Sequence, residues 1–155
     1  MPIKLMREAI KEAETNLLTD EGGPFGAVVV KNGEVIGKGH NLVLKNNDPT
    51  CHAEIEAIRA ACRKLGTYDL TGCEIYASSY PCPMCLSAII WANIKKVYYA
   101  NSAEDAGAIG FRDDYIYAFI EGECKDQQVV ELEQLGREEA IETFKRYQSA
   151  KKTIY

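Results

Sequence analysis

Two short motifs in the sequence combine residue types that bind a metal ion and move a proton. The letters HAE begin at His52, and the letters PCPMC begin one residue before Cys82. A catalytic zinc ion takes three protein ligands, commonly imidazole or thiolate, and keeps one position for water. We therefore predict that His52, Cys82 and Cys85 hold one zinc ion and that Glu54 lies beside the metal without binding it.

The spacing of the two cysteines suits a shared ion. Cys82 and Cys85 are three residues apart at the start of a predicted helix, which places both sulfurs on one face. The positive potential of a helix N-terminus favours the thiolate form that zinc requires. The chain has only two histidines, so the choice of imidazole ligand is narrow.

The spacing of His52 and Glu54 sets a condition on the structure. Two residues correspond to about 200° around a helix, so these side chains cannot share one side of it. They converge only if the first turn of the helix points end-on at the metal.

Two other interpretations of the cysteines stay open at this point. A Cys-x-x-Cys pair in an α/β protein is also typical of a redox dithiol. The same pair also forms half of a structural zinc site, which Cys51 or Cys62 would complete. The combination of both motifs, each at the start of a helix with a strand between them, favours a catalytic zinc.

Hydrophobic periodicity predicts the elements that position these motifs. Residues 1–18 form an amphipathic helix, and a helix that begins near Asp48 or Thr50, either of which would be the N-cap, ends at Gly66. A further helix covers residues 84–91. The predicted strands are residues 25–30, 34–37, 73–77 and 95–100, and Asn32-Gly33 forms a two-residue hairpin turn between the first two.

The pattern is weaker beyond residue 100. It predicts a helix over residues 114–120, a strand that includes Val129 and Val130, and a helix over residues 137–148. No repeat or linker divides the chain, so we expect one domain over residues 1–155. Alternating helices and strands predict a layered α/β domain, with the hairpin as the antiparallel pair of an otherwise mainly parallel sheet.

Charge and composition limit the class of substrate and the compartment. The formal net charge of −5 repels phosphate backbones, which argues against nucleic acid and for a small molecule. A basic cluster near the C-terminus keeps RNA open as an alternative; it comprises Lys145, Arg146, Lys151 and Lys152. No apolar run is long enough to span a membrane or to direct secretion, so we expect a cytoplasmic protein with reduced cysteines.

The combined motifs are the signature of zinc deaminases. The chain resembles the cytidine-deaminase-like superfamily over nearly its whole length, and bacterial guanine deaminases most of all. The matching stretches are GGPFGAVVVKNG, NDPTCHAEIEAIRAAC, PCPMCLSAIIWA and KKTIY. The resemblance implies a three-layer α/β/α sandwich with a five-stranded mixed sheet, one zinc ion per subunit, and Glu54 as the proton shuttle.

The resemblance also implies contacts with the substrate. Phe25 matches an aromatic residue at the pocket wall, and Asn41 matches a residue that hydrogen-bonds the base. Ala53 lies within the HAE motif, and Asp113 matches an acidic residue that contacts a purine or assists proton transfer. Asp114 is adjacent to Asp113, so the assignment between these two stays open. The resemblance further implies a homodimer in which a C-terminal segment of about residues 130–155 is swapped.

In such a dimer the residue that matches Tyr155 closes the pocket of the partner subunit. The predicted reaction is hydrolysis of a free nucleobase, from guanine to xanthine and ammonia. One departure bears on the substrate, since Tyr80 stands where purine deaminases of this group commonly have Glu. Alternatives are a tRNA adenosine deaminase, a deaminase of cytosine or of another aminated heterocycle such as a pterin or triazine, and a structural-zinc binding module without catalysis.

Overall fold

A computed structural model describes residues 2–155 of the chain. The described chain divides into two compact units, the first ending at Tyr117 and the second comprising Ala118–Tyr155. The helices are α1 (Pro2–Glu14), α2 (Val43–Asn46), α3 (Ala53–Leu65), α4 (Pro83–Trp91), α5 (Ala103–Ala108), α6 (Asp114–Glu121) and α7 (Arg137–Ser149). The strands are β1 (Gly26–Lys31), β2 (Glu34–His40), β3 (Cys73–Ser79) and β4 (Lys96–Asn101).

The sheet is mixed, and within residues 2–155 it has four strands in the order β2-β1-β3-β4. The expectation of five strands is wrong, because the predicted strand at Val129 and Val130 is a turn in which both amides bond to the carbonyl of Asp126. Two β-branched residues between polar neighbours provide no alternating face to bury against a sheet.

The expectation of a mainly parallel sheet is also wrong. Strand β1 is antiparallel to β2 and to β3, and only β3 and β4 are parallel. The hairpin turn between β1 and β2 is as expected, since Asn32 and Gly33 both have positive φ angles, of 51° and 79°. The pairing of β1 with β3 joins distant segments, so no local sequence pattern reports its direction.

Helices cover both faces of the sheet, so the three-layer α/β/α arrangement is confirmed. Alternate residues of β1 enter different cores: Val28 and Val30 face α1, whereas Ala27 and Val29 face α3. Glycines permit close approach, since a Cβ built at Gly26 would lie 2.2 Å from the carbonyl oxygen of Ala9. Burial on both faces explains why β1 is apolar from Gly26 to Val30 rather than alternating.

The first helix is shorter than predicted. Helix α1 ends at Glu14, and a 3₁₀ turn over Thr15–Leu17 follows it. Thr and Asn side chains compete with the helix by bonding to backbone groups, and Asn16 bonds to two distant carbonyl oxygens. The remaining elements lie within a few residues of their predicted bounds, except that α2 and α5 were not predicted.

The second unit has one long helix, α7, which confirms the helix predicted over residues 137–148. Gly136 precedes it with a φ of 75°, a conformation that glycine adopts without strain. None of the helices in residues 2–155 has the length and apolar character that crossing a membrane requires.

Candidate active site

The structure brings the three predicted metal ligands together. The Nδ1 atom of His52 lies 3.5 Å from the Sγ atom of Cys82 and 3.5 Å from that of Cys85. Zn–N and Zn–S bonds of about 2.0 and 2.3 Å at tetrahedral angles require an N···S separation of about 3.5 Å. The three side chains therefore fit one tetrahedral zinc ion through the Nδ1 atom of His52.

Two helix N-termini position these ligands. His52 is the N-cap of α3 and Cys82 is the N-cap of α4, each with extended backbone angles. Cys85 lies in the first turn of α4, after Pro83 at a position where the missing N–H costs nothing. The prediction that Asp48 or Thr50 caps α3 is wrong, because the Asp48 carboxylate instead accepts bonds from the amide and hydroxyl of Thr50.

Glu54 meets the condition that its spacing from His52 imposes. His52 precedes the helix in an extended conformation, so the rotation of about 200° per two helical residues does not separate the two side chains. The Glu54 carboxylate is buried and bonds to the Cys85 thiol, and burial raises its pKa to about 6. A carboxyl group with such a pKa both accepts and returns a proton near neutral pH.

The charges at the cluster suit a cation. In the metal-free chain, a hydrogen bond from the Cys85 thiol, with help from His52, lowers the pKa of Cys82 to about 4. Cys82 in turn raises the pKa of His52 through their hydrogen bond. We call His52, Glu54, Cys82 and Cys85 the metal floor.

The metal floor opens into a cavity of about 660 Å³. One side of the cavity is lined by Gly22, Gly23, Phe25 and Asn41, which we call the loop wall. The lining also includes Tyr80, Phe111, Asp113, Tyr115 and Ile116, and the ring of Phe111 lies against the loop wall. The rings of Phe25 and Phe111 meet edge to face with centroids 5.1 Å apart, so an apolar surface faces a planar ligand.

The structure places the predicted substrate residues as follows. Phe25 and Asn41 line the cavity, and Asn41 is buried. Ala53 is fully buried in the core at the first position of α3, so a substrate contact from it stays a prediction and would involve its backbone. Tyr155 belongs to the second unit, where its side chain is 81% exposed, and its role also stays a prediction.

The two adjacent aspartates differ in environment. Asp113 lines the cavity, and burial, together with the negative charge of Cys82, raises the pKa of its carboxyl group. Asp114 is exposed and pairs at 3.2 Å with Arg112, which lowers the pKa of Asp114. The geometry therefore favours Asp113 over Asp114 as the residue that faces a ligand.

Tyr80 lines the cavity beside the metal floor, and its ring packs edge to face on Tyr99 with centroids 4.9 Å apart. Sequence reasoning missed Tyr117, whose hydroxyl donates a 2.7 Å hydrogen bond to the carbonyl oxygen of Pro81. No local sequence pattern could have marked it, because this bond joins residues 36 positions apart.

Neither alternative ligand for a closed zinc site joins the cluster within residues 2–155. The Cys51 sulfur contacts Asn46 and Arg59 instead, and Cys62 packs against the core on α3. Three protein ligands leave one coordination position for water, which is the pattern of a catalytic zinc site.

Comparisons with known proteins agree with this geometry. Residues 2–101 match the model of the cytidine and deoxycytidylate deaminase zinc-binding region. The chain is 51% identical to guanine deaminase of Bacillus subtilis over 108 residues, which is 70% of this chain and 69% of that protein. It is 41% identical over 104 residues to a tRNA-specific adenosine deaminase of Aquifex aeolicus, covering 67% and 68% of the two chains.

A crystal structure of guanine deaminase from Bacillus subtilis superposes with a TM-score of 0.90 at 40% identity, covering 99% of this chain and 98% of that one. The chain therefore belongs to the cytidine and deoxycytidylate deaminase family of zinc-dependent hydrolytic enzymes.

Proposed function

We propose that this chain is a guanine deaminase, which hydrolyses guanine to xanthine and ammonia. The observation that carries the proposal is one cavity in which the metal floor lies beside Asn41, Asp113 and an apolar pair of rings. The metal floor provides a hydrolytic centre, Asn41 and Asp113 provide polar groups for a heterocycle, and the two rings provide a surface for its flat faces. The match with a guanine deaminase over nearly the whole chain supports the choice of base.

Each residue has a separate role in the replacement of the exocyclic amine of guanine by oxygen. His52, Cys82 and Cys85 would hold the zinc ion, which would supply a Lewis acid able to lower the pKa of a coordinated water towards about 7. Glu54 removes a proton from the attacking water and returns one to the base, a role that its buried position beside the metal ligands supports.

Asp113 lines the same cavity, and its carboxyl group exchanges a proton with the departing amine or with the ring. Asn41 donates its Nδ2 hydrogens to acceptor atoms of the purine, and Phe25 and Phe111 pack on the ring. The carbon–nitrogen bond breaks as a carbon–oxygen bond forms, and ammonia leaves with the transferred proton.

The test is ammonia release from guanine, guanosine, cytosine, adenine and a tRNA stem-loop. We expect kcat/KM for guanine to exceed that for each other substrate by about 100-fold or more, a ratio available where buried polar groups pair with the preferred ligand. Preference for a nucleoside, for cytosine or for another heterocycle would contradict the proposal and would implicate Tyr80, the departure from the usual Glu.

Deamination of adenosine in tRNA is the second candidate, because 41% identity to a tRNA-specific adenosine deaminase favours it. The net charge of −5 opposes it, since RNA binding needs a basic groove. The basic residues of the second unit are exposed, so the stem-loop stays in the panel. Turnover of that stem-loop above guanine would establish this candidate.

We also propose a cytoplasmic homodimer in which about residues 130–155 are exchanged between subunits and Tyr155 closes the partner's cavity. Exposed apolar side chains of the second unit need burial, and they include Leu132, Leu135, Phe144 and Ile154. Ile90 and Trp91 on α4 are exposed as well. Truncation before residue 150 should raise KM while zinc is retained; undiminished activity would remove Tyr155 from the pocket.

A further inference from the structure

One side chain outside the cavity ties together the two segments of the loop wall. The Nδ2 group of Asn16 donates a 2.8 Å hydrogen bond to the carbonyl oxygen of Gly23 and another of 2.8 Å to that of Asn41. Asn16 lies in the 3₁₀ turn after α1, seven residues from Gly23 and 25 from Asn41. It therefore crosslinks segments that the sheet alone does not join at these atoms.

The chemistry of this crosslink requires a carboxamide. Two carbonyl oxygens face one side-chain group, and an uncharged –NH₂ supplies one hydrogen to each. The remaining Oδ1 of Asn16 accepts a 2.8 Å hydrogen bond from the hydroxyl of Thr19, which fixes the orientation of the amide. Every polar atom of the Asn16 side chain thus has a partner.

The crosslink holds the main chain of Asn41, and two further contacts fix its side chain. The Oδ1 atom of Asn41 accepts a 3.0 Å hydrogen bond from the amide of Val43. The same atom lies over Gly22, since a Cβ built there would be 2.1 Å from it and 2.7 Å from the Asn41 carbonyl oxygen. With Oδ1 engaged in this way, the Nδ2 group is the part of the Asn41 side chain that meets a ligand.

We propose that Asn16 is a positioning residue that sets the Asn41 carboxamide for nucleobase binding. The inference rests on the proposed function, because it assigns Asn41 to the base. Loss of the crosslink removes two of the bonds that hold the main chain of Asn41 beside Gly23, and the carboxamide of Asn41 then shifts with its main chain although its bond to Val43 remains. Because the metal floor is held by other elements, the loss lowers affinity for the base and leaves the chemical step nearly unchanged.

The test is the variant Asn16→Asp, which keeps the size of the side chain and replaces two hydrogen-bond donors by an acceptor that repels both carbonyls. We expect KM for guanine to rise about ten-fold and kcat to stay within about two-fold. Bound xanthine, the product, should dissociate about ten-fold more easily by calorimetry, with zinc content unchanged.

A matched control is Asn93→Asp. Asn93 also joins two segments through its Nδ2 group, at 3.1 Å from Asp69, but near the opposite end of β3. Asp tolerates the positive φ of 64° at this position better than most residues. Asn93→Asp should keep the KM of the unaltered chain even if its melting temperature falls as much as that of Asn16→Asp.

A second variant, Gly22→Ala, displaces Asn41 from the other side without removing any bond of Asn16, and its KM should rise as well.

A structural readout is amide hydrogen exchange. The amide of Asn41 bonds to the carbonyl of Phe25, and the amide of Phe25 bonds to the carbonyl of Gly23. Both amides should exchange faster in Asn16→Asp, while the amides of β3 keep their rates.

Two outcomes would overturn the inference: unchanged KM in both Asn16→Asp and Gly22→Ala, or an equal rise in Asn93→Asp. Failure of the proposed function is a different result. If the unaltered chain does not turn over guanine, the KM comparison is made with the base that it prefers, and the positioning role is tested on that base.

Discussion

The metal floor and the loop wall meet in the same cavity but are held in different ways. His52 and Cys82 cap the N-termini of two long helices, and Cys85 and Glu54 lie in the first turns of those helices, so buried helix–sheet packing fixes all four. The loop wall has no helix or strand of its own from residue 22 to residue 25. Two backbone hydrogen bonds, from Phe25 to Gly23 and from Asn41 to Phe25, and the two side-chain bonds of Asn16 hold it in place.

This difference separates the kind of chemistry from the choice of substrate. Groups fixed by a core move only if the core moves, because protein interiors pack densely. Groups fixed by single hydrogen bonds move when one bond is lost, at a cost of about 1 kcal/mol. We therefore expect substitutions in the metal floor to abolish turnover, and substitutions around the loop wall to alter affinity and base preference.

The largest expected effect follows from removing a metal ligand. Cys85→Ala should lose bound zinc and all measurable turnover, because two remaining ligands do not complete the tetrahedral set. Metal analysis and ammonia release measure this. The control is Cys51→Ala, a buried cysteine next to His52 that contacts Arg59 instead; it should keep about one zinc per chain. Zinc loss in both variants would show that Cys51 is a ligand.

The next effect tests the proton shuttle. Glu54→Gln removes the ionisable group and keeps the shape, so kcat should fall roughly 10³-fold while zinc is retained, within the range for loss of a general acid–base group. Glu34→Gln, at an exposed position of β2, should be unaltered. Near-normal turnover by Glu54→Gln would exclude the role.

A smaller effect separates Asp113, which lines the cavity, from its neighbour Asp114, which is exposed. Asp113→Asn should lower kcat on the order of 10²-fold, because its carboxyl group faces the cavity. Asp114→Asn breaks an exposed ion pair with Arg112 and should change kcat by less than about two-fold. The reverse order in steady-state kinetics would transfer the role to Asp114.

The smallest effect concerns the link between α6 and the cysteine loop. Tyr117→Phe removes the hydrogen bond to the Pro81 carbonyl, worth about 1 kcal/mol, so kcat/KM should fall about five-fold. Tyr99→Phe, at a half-exposed ring in the same aromatic group, should have no effect. Equal losses in both would indicate that packing of the rings matters rather than the Tyr117 hydroxyl.

Some elements were predictable because their signal is local. The amphipathic repeat of α3, the Asn32-Gly33 turn and the proline before α4 each depend on neighbouring residues. Others were not predictable. The isolated pair Val129 and Val130 has strand propensity but no sheet partner, and the antiparallel pairing of β1 with β3 depends on contacts between distant segments. Propensity favours a strand, whereas only packing makes one.

The N-cap of α3 shows the same limit within the site. Asp48 and Thr50 are good caps by residue type, yet their side chains bond to each other and the helix begins at His52. Because the N-cap is His52, the His52 imidazole and the Glu54 carboxylate lie at the same end of the helix. Two residues with this spacing inside a helix would point in nearly opposite directions.

The sequence by itself determined which residues form the metal floor, because their types and their spacing within each motif suit zinc, whereas the fold brought the two motifs together across 30 residues. It also indicated Phe25, Asn41 and Asp113 through family resemblance. The tertiary structure alone decided how the loop wall is held, through Asn16 and its partners 7 and 25 residues away. An asparagine in a turn has many uses, and only the folded chain brings two carbonyl oxygens to its amide.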